Sequence, residues 1–73
     1  MMDEFIVTGG HLPTVEEIKA ARAEAGLTQQ QAAELIYASY ETWKTWEAAR
    51  ESKRASQMPA MAWELFLNKR FIA

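Results

Sequence analysis

The chain of 73 residues contains no cysteine, one histidine, three glycines and two prolines. Without cysteine there is no disulfide framework and no thiolate metal site. A single imidazole, His11, cannot build a histidine-rich metal centre, and the familiar pairings of nucleophile and base have almost nothing to draw on. No constellation for catalysis is present, so no enzyme activity, cofactor, metal or small-molecule ligand is expected. Long apolar runs are absent too. The longest, Met58 to Trp63, has six residues, against the ~20 that span a bilayer. The start, Met1-Met2-Asp3-Glu4-Phe5, is acidic and lacks the positive segment and apolar core of a secretory signal. A soluble, cytoplasmic protein is expected.

What is present suits one small globular domain: 49% hydrophobic and 25% charged residues. A chain of this size buries only about 60% of the surface its unfolded form exposes. Association into a homodimer is therefore the most accessible added source of stability. The net charge of −2 is unevenly placed. Residues 1–34 set Asp3, Glu4, Glu16, Glu17, Glu24 and Glu34 against Lys19 and Arg22, a balance of −4. Residues 35–73 set Lys44, Arg50, Lys53, Arg54, Lys69 and Arg70 against four glutamates, a balance of +2. A local basic patch on a mildly acidic domain is compatible with nucleic acid.

Helix punctuation is clear. Residues 1–13 read as an N-terminal arm or short strand, with Phe5-Ile6-Val7 followed by Gly9-Gly10. Thr14 with Glu17, and Thr28 with Gln31, have capping-box spacing and start two helices. Gly26 is placed to end the first in the left-handed region. Ser39 is a helix cap, and Trp43 and Trp46 turn inward together, leaving Tyr40, Glu41, Lys44 and Thr45 outward. Residues 48–57 read either as a loop or as a further turn of the third helix before a loop. Pro59 belongs to the start of a fourth helix reaching Asn68 or beyond. That helix is apolar on two sides, with Met58, Met61, Ala62 and Leu65 on one and Trp63, Phe66 and Leu67 off it. The fold class expected is an all-α, compact four- to five-helix domain over residues 14–73.

The segment Leu27-Thr28-Gln29-Gln30-Gln31-Ala32-Ala33-Glu34-Leu35, followed by Trp43-Lys44-Thr45-Trp46-Glu47, resembles the helix-turn-helix core of the Cro and lambda-repressor-like (XRE) family. Ile18, Arg22 and Gly26 also match its first helix, and the likeness covers about residues 15–59. The helix Met58-Pro59-Ala60-Met61-Ala62-Trp63-Glu64-Leu65-Phe66 resembles that of small phage-type regulators, including anti-CRISPR-associated repressors. The family implies that Gln29 and Ser39 bind phosphate, while Tyr40, Glu41 and Thr45 face base edges in the major groove. It makes Lys44 a phosphate or guanine ligand and gives Arg50, Lys53 and Arg54 the grip on the backbone after the recognition helix. It pairs Arg22 with Glu47 as a structural bridge. Two departures stand out: Tyr37 occupies a turn position where the family commonly has glycine, and Ala48-Ala49 replaces an Asn-Gly stop.

The resemblance implies a sequence-specific repressor of double-stranded DNA, a homodimer on a near-palindromic operator with half-sites about 34 Å apart. Autoregulation of its own operon, an anti-CRISPR operon among the candidates, follows from the absence of a ligand domain. Trp63, Phe66, Leu67 and Phe71 are the expected dimer face. Two alternatives stand beside this: an antitoxin that binds DNA and a toxin, and a protein-interaction module that does not bind DNA.

Overall fold

Two threonine hydroxyls set the first half of the chain. In the computed structural model, which describes residues 12–71, Thr14 caps α1 (Val15–Glu24). Its Oγ1 accepts from the Glu17 amide at 3.1 Å, and the Glu17 carboxylate accepts from the Thr14 amide at 2.8 Å. Thr28 and Gln31 repeat the arrangement at the head of α2 (Gln29–Leu35). Each box satisfies two amides that a helix start otherwise leaves without partners. Between the boxes the chain reverses at Gly26, where φ is +72°. A Cβ there would meet no atom within 4 Å, so backbone conformation and not space favours glycine at this point.

The next corner uses a residue that ordinarily avoids this geometry. Tyr37, between α2 and α3 (Tyr40–Trp46), has φ +64° and is 83% exposed. At the position where the resembled family commonly has glycine, the backbone is left-handed with a tyrosine in place. Amides of Tyr37 and Ala38 close the α2 end on the carbonyls of Glu34 and Ala33 at 3.2 and 2.9 Å. The Tyr37 hydroxyl accepts from Lys69 Nζ at 3.1 Å, and the same ammonium stands 4.3 Å from the ring centroid. These contacts offset part of the steric cost of about 1 kcal/mol or more.

After α3 the chain forms the loop and not a further helical turn. α3 ends at Trp46, Glu47 turns its side chain inward, and the Ser56 amide returns to the Thr45 carbonyl at 3.1 Å. The last helix, α4 (Ala60–Lys69), starts after Pro59. Among the described residues the architecture is four helices and no strand. The expected arm over residues 1–13 lies outside the described residues, except for Leu12 and Pro13.

α2 packs on α3, and α4 packs against α2. The core centres on Trp43, fully buried, with Trp46 and Phe66 edge-on to it at centroid distances of 5.6 and 5.1 Å. Ile18, Ala21, Ala32, Ala33 and Met58 fill the space around these rings. The alanines let α2 approach closely without a void.

This arrangement corrects the expected dimer face. Phe66 is fully buried in the core of the single chain, Trp63 is nearly so, and Leu67 packs against the same cluster. Only Phe71 of the four is exposed. The opposite stripe, with Met61 82% and Leu65 38% exposed, faces outward. The larger rings bury more apolar area than methionine and leucine, which decides the rotation of an otherwise two-sided helix. Met58 joins the core from outside the helix, ahead of Pro59, where helical register does not apply.

Two stability outcomes follow. Phe66→Ala is expected to cost about 3–5 kcal/mol, while Met61→Ala stays within about 0.5 kcal/mol for the monomer; urea denaturation at low protein concentration separates them. Tyr37→Gly is expected to gain up to about 1 kcal/mol in the same assay, and Tyr37→Ala, which keeps a Cβ at positive φ, to gain nothing.

Candidate nucleic-acid interface

The side of α3 opposite the tryptophans is the candidate interface. Ser39 starts the helix by accepting from the Thr42 amide at 3.0 Å. With Trp43 and Trp46 anchored in the core, Tyr40, Glu41 and Lys44 must stand on the outer side. Lys44 Nζ lies 3.3 Å from Glu41 Oε2 and 4.4 Å from the centroid of the Tyr40 ring. Arg54 reaches the same region: a cleft of about 200 Å³ is lined by Glu41, Lys44, Thr45, Ala48, Ser52 and Arg54. On the other side of Tyr40 a polar cleft of about 410 Å³ is lined by Arg22, Thr28, Gln29, Gln30 and Tyr40.

Not every residue expected to face DNA is free to do so. The Ser39 hydroxyl, besides capping, donates to Thr42 Oγ1 at 2.8 Å. Thr45 Oγ1 donates to the Thr42 carbonyl at 2.7 Å and also meets Ser56 Oγ at 2.7 Å, which fastens the loop to the helix. Both hydroxyls serve the fold, because short side chains find nearby backbone partners before distant ones. Gln29 turns its amide inward, where Nε2 donates to Glu47 Oε1 at 3.0 Å. Arg50 Nη2 donates to the Pro13 carbonyl at 3.3 Å, although the residue remains exposed. Lys53 and Arg54 are exposed on the loop, and among the described residues no salt bridge engages either.

Behind this face sits Glu47. Its side chain is 2% exposed and takes four hydrogen bonds. Arg22 donates from Nε at 2.6 Å and from Nη2 at 3.0 Å, Trp43 Nε1 donates at 2.6 Å, and Gln29 donates as above. Arg22 Nη1 also donates to the Leu27 carbonyl at 3.1 Å. One carboxylate therefore ties α1, α2 and α3 together behind the outer stripe. Burial pushes the Glu47 carboxyl up, but hydrogen bonds from Arg22, Trp43 and Gln29, with the Arg22 charge, outweigh it and hold the group below its ordinary value. The hydrogen bonding that Arg22 donates to Glu47 raises Arg22 in turn, against a smaller opposing effect of burial.

The Arg22–Glu47 bridge is the one anticipated; its Gln29 and Trp43 partners are not. The Trp43 signal was available, since a buried indole needs an acceptor and Glu47 lies four residues on. Gln30 and Ser52 are further lining residues that sequence reasoning missed. For Gln30 the signal lies in the Gln29-Gln30-Gln31 run: Gln31 belongs to the capping box, and Gln30, one position earlier, is exposed. Nothing comparable marks Ser52.

Among the described residues no cluster of three or more histidine, cysteine or acidic side chains could hold a metal ion. No helix among them is long and apolar enough to cross a membrane. Comparison with protein-family models, with curated proteins and with solved structures finds no match to the chain.

Removing either end of the buried pair has a defined result. Arg22→Met leaves Glu47 charged and short of its main donor, and about 3–5 kcal/mol of stability is expected to be lost. Because the folded carboxyl is depressed, its contribution is complete above the unfolded value near 4.5 and disappears as pH falls through the lower folded value. Thermal melts of Glu47→Gln between neutral and acid pH should therefore show a lower but flatter acid limb than the parent chain.

Proposed function

We propose that this chain is a sequence-specific, double-stranded-DNA-binding repressor of the Cro and lambda-repressor-like helix-turn-helix class, acting as a homodimer on a near-palindromic operator. The observation that carries the reading is the outer stripe of α3. Tyr40, Glu41 and Lys44 project from a helix whose other side is fixed by two tryptophans, with Arg54 across an adjoining cleft. A short helix held this way offers donors and acceptors at fixed positions, which base-edge recognition in a major groove requires. Lys53 and Arg54 supply charge for phosphates from the loop that follows. Ser39, Thr45 and Gln29 support the frame, and base contact falls to Tyr40, Glu41 and Lys44.

The homodimer is supported by a different surface from the expected one. An open apolar groove of about 340 Å³ is lined by Ile36, Ala38, Trp46, Pro59, Ala62 and the exposed Met61 and Leu65. A two-fold contact there sets each copy's α4 beside the other's groove, and Phe71 is the one expected interface residue still available. The same groove favours a second reading, a protein-interaction module that does not bind DNA, which the net charge of −2 also suits.

Titration of the purified protein against DNA from upstream of its own gene, beside a scrambled duplex and at several salt concentrations, tests the proposal. A preference of at least ~10³-fold, with affinity falling steeply as salt rises, is expected. Absence of binding at low salt overturns it in favour of the protein-partner reading.

A further inference from the structure

The outer stripe of α3 carries a feature that a generic basic surface lacks. Its one ammonium, Lys44, is held between a carboxylate and an aromatic face, 3.3 Å from Glu41 Oε2 and 4.4 Å from the Tyr40 centroid. Glu41 is 81% exposed and Lys44 41% exposed, so neither is needed by the core. An exposed pair of this kind adds little stability. Its effect is on what the face presents: an acceptor and a donor side by side, with almost no net charge.

The major-groove edge of a C·G pair offers the complementary order. The cytosine N4 amino group donates, and guanine O6 and N7 beside it accept. Cytosine N4 and guanine O6 are themselves joined by a hydrogen bond of about 2.9 Å, close to the separation of the protein pair. We propose that Glu41 and Lys44 act as a unit that reads one C·G base pair in each half-site, Glu41 accepting from cytosine and Lys44 donating to guanine. Away from that base pair the unit meets no complementary edge. Glu41 then keeps the Lys44 charge over Tyr40 and away from the phosphates, which weakens binding to unrelated DNA. Tyr40, besides its own place on the stripe, positions the pair by holding the lysine ammonium over its ring. The inference rests on the DNA-binding reading above and deepens it by naming a base pair and a mechanism for rejecting the wrong sequence.

The test is a double-mutant cycle on Glu41→Gln and Lys44→Met in the full chain, with a half-site library randomised at every position. Both side chains are exposed, so all variants should melt with the parent, and thermal melts check this. Wild type is expected to fix one position as C·G, and Glu41→Gln to relax that position at least about tenfold. Glu41→Gln should also tighten binding to a scrambled duplex and steepen its salt dependence by about 0.9, the increment for one added phosphate contact. In the Lys44→Met background that steepening should vanish. If Glu41→Gln tightens scrambled binding equally with and without Lys44, the effect is bulk charge and the paired unit is overturned. If no position is fixed as C·G and relaxed by the variant, base reading by the pair is overturned while DNA binding stands. If wild type binds no duplex at low salt, the DNA-binding reading itself fails, which the parent titration alone reports.

Discussion

A buried carboxylate is tolerable only when its lone pairs are filled, and Glu47 imposes that demand on three helices at once. Its partners come from α1 (Arg22), α2 (Gln29) and α3 (Trp43), so satisfying one charge fixes the mutual placement of all three. The requirement is strict because an unpartnered charge at this depth costs several kcal/mol. The aromatic cluster below contributes more area but less direction. Trp43 belongs to both, with its ring stacked edge-on in the core and its N–H on Glu47. Orientation of the outer stripe of α3 is therefore set from behind, by a charge that never reaches the surface.

The second constraint is the shortness of the connections. α1 and α2 are joined through Gly26, and α2 and α3 through Tyr37, both left-handed. Such corners leave the helices few alternative crossings. The strain accepted at Tyr37 is small against the packing it permits, since Ile36 and Ala38 on either side are turned to the core and the groove.

Much of this was legible because it is local. Capping boxes join residues three apart, and the Trp43–Trp46 spacing defines an inner and an outer side without reference to the rest of the chain. Gly26 was marked by its position after the first helix, and Tyr37 by the glycine that the resembled family commonly has there. The Arg22–Glu47 bridge, 25 residues apart in sequence, was likewise accessible only through that resemblance. What the residue pattern left open was of two kinds. α4 is apolar on two sides, so its periodicity could not choose a face, and the choice fell to the size of Phe66 and Trp63 against a space that only the folded chain defines. Ser39, Thr45 and Gln29 have side chains able to serve either phosphate or fold, and composition does not say which partner lies nearer. Their tethers, to Thr42, Ser56 and Glu47, are visible only in three dimensions.

Pro13 bears on the order in which the molecule is put together. Its carbonyl receives Arg50 and Gln57, residues 37 and 44 positions away, at 3.3 and 2.9 Å. Contacts of such separation form late, because the entropy of closing the intervening chain must be met before they return anything. The three-helix frame around Glu47 closes from shorter spans and does not wait for them. The loop that carries Lys53 and Arg54 is thus among the later parts of the described chain to take its place, and its local opening leaves the frame intact. Its anchor lies at the opposite end of the sequence from α4.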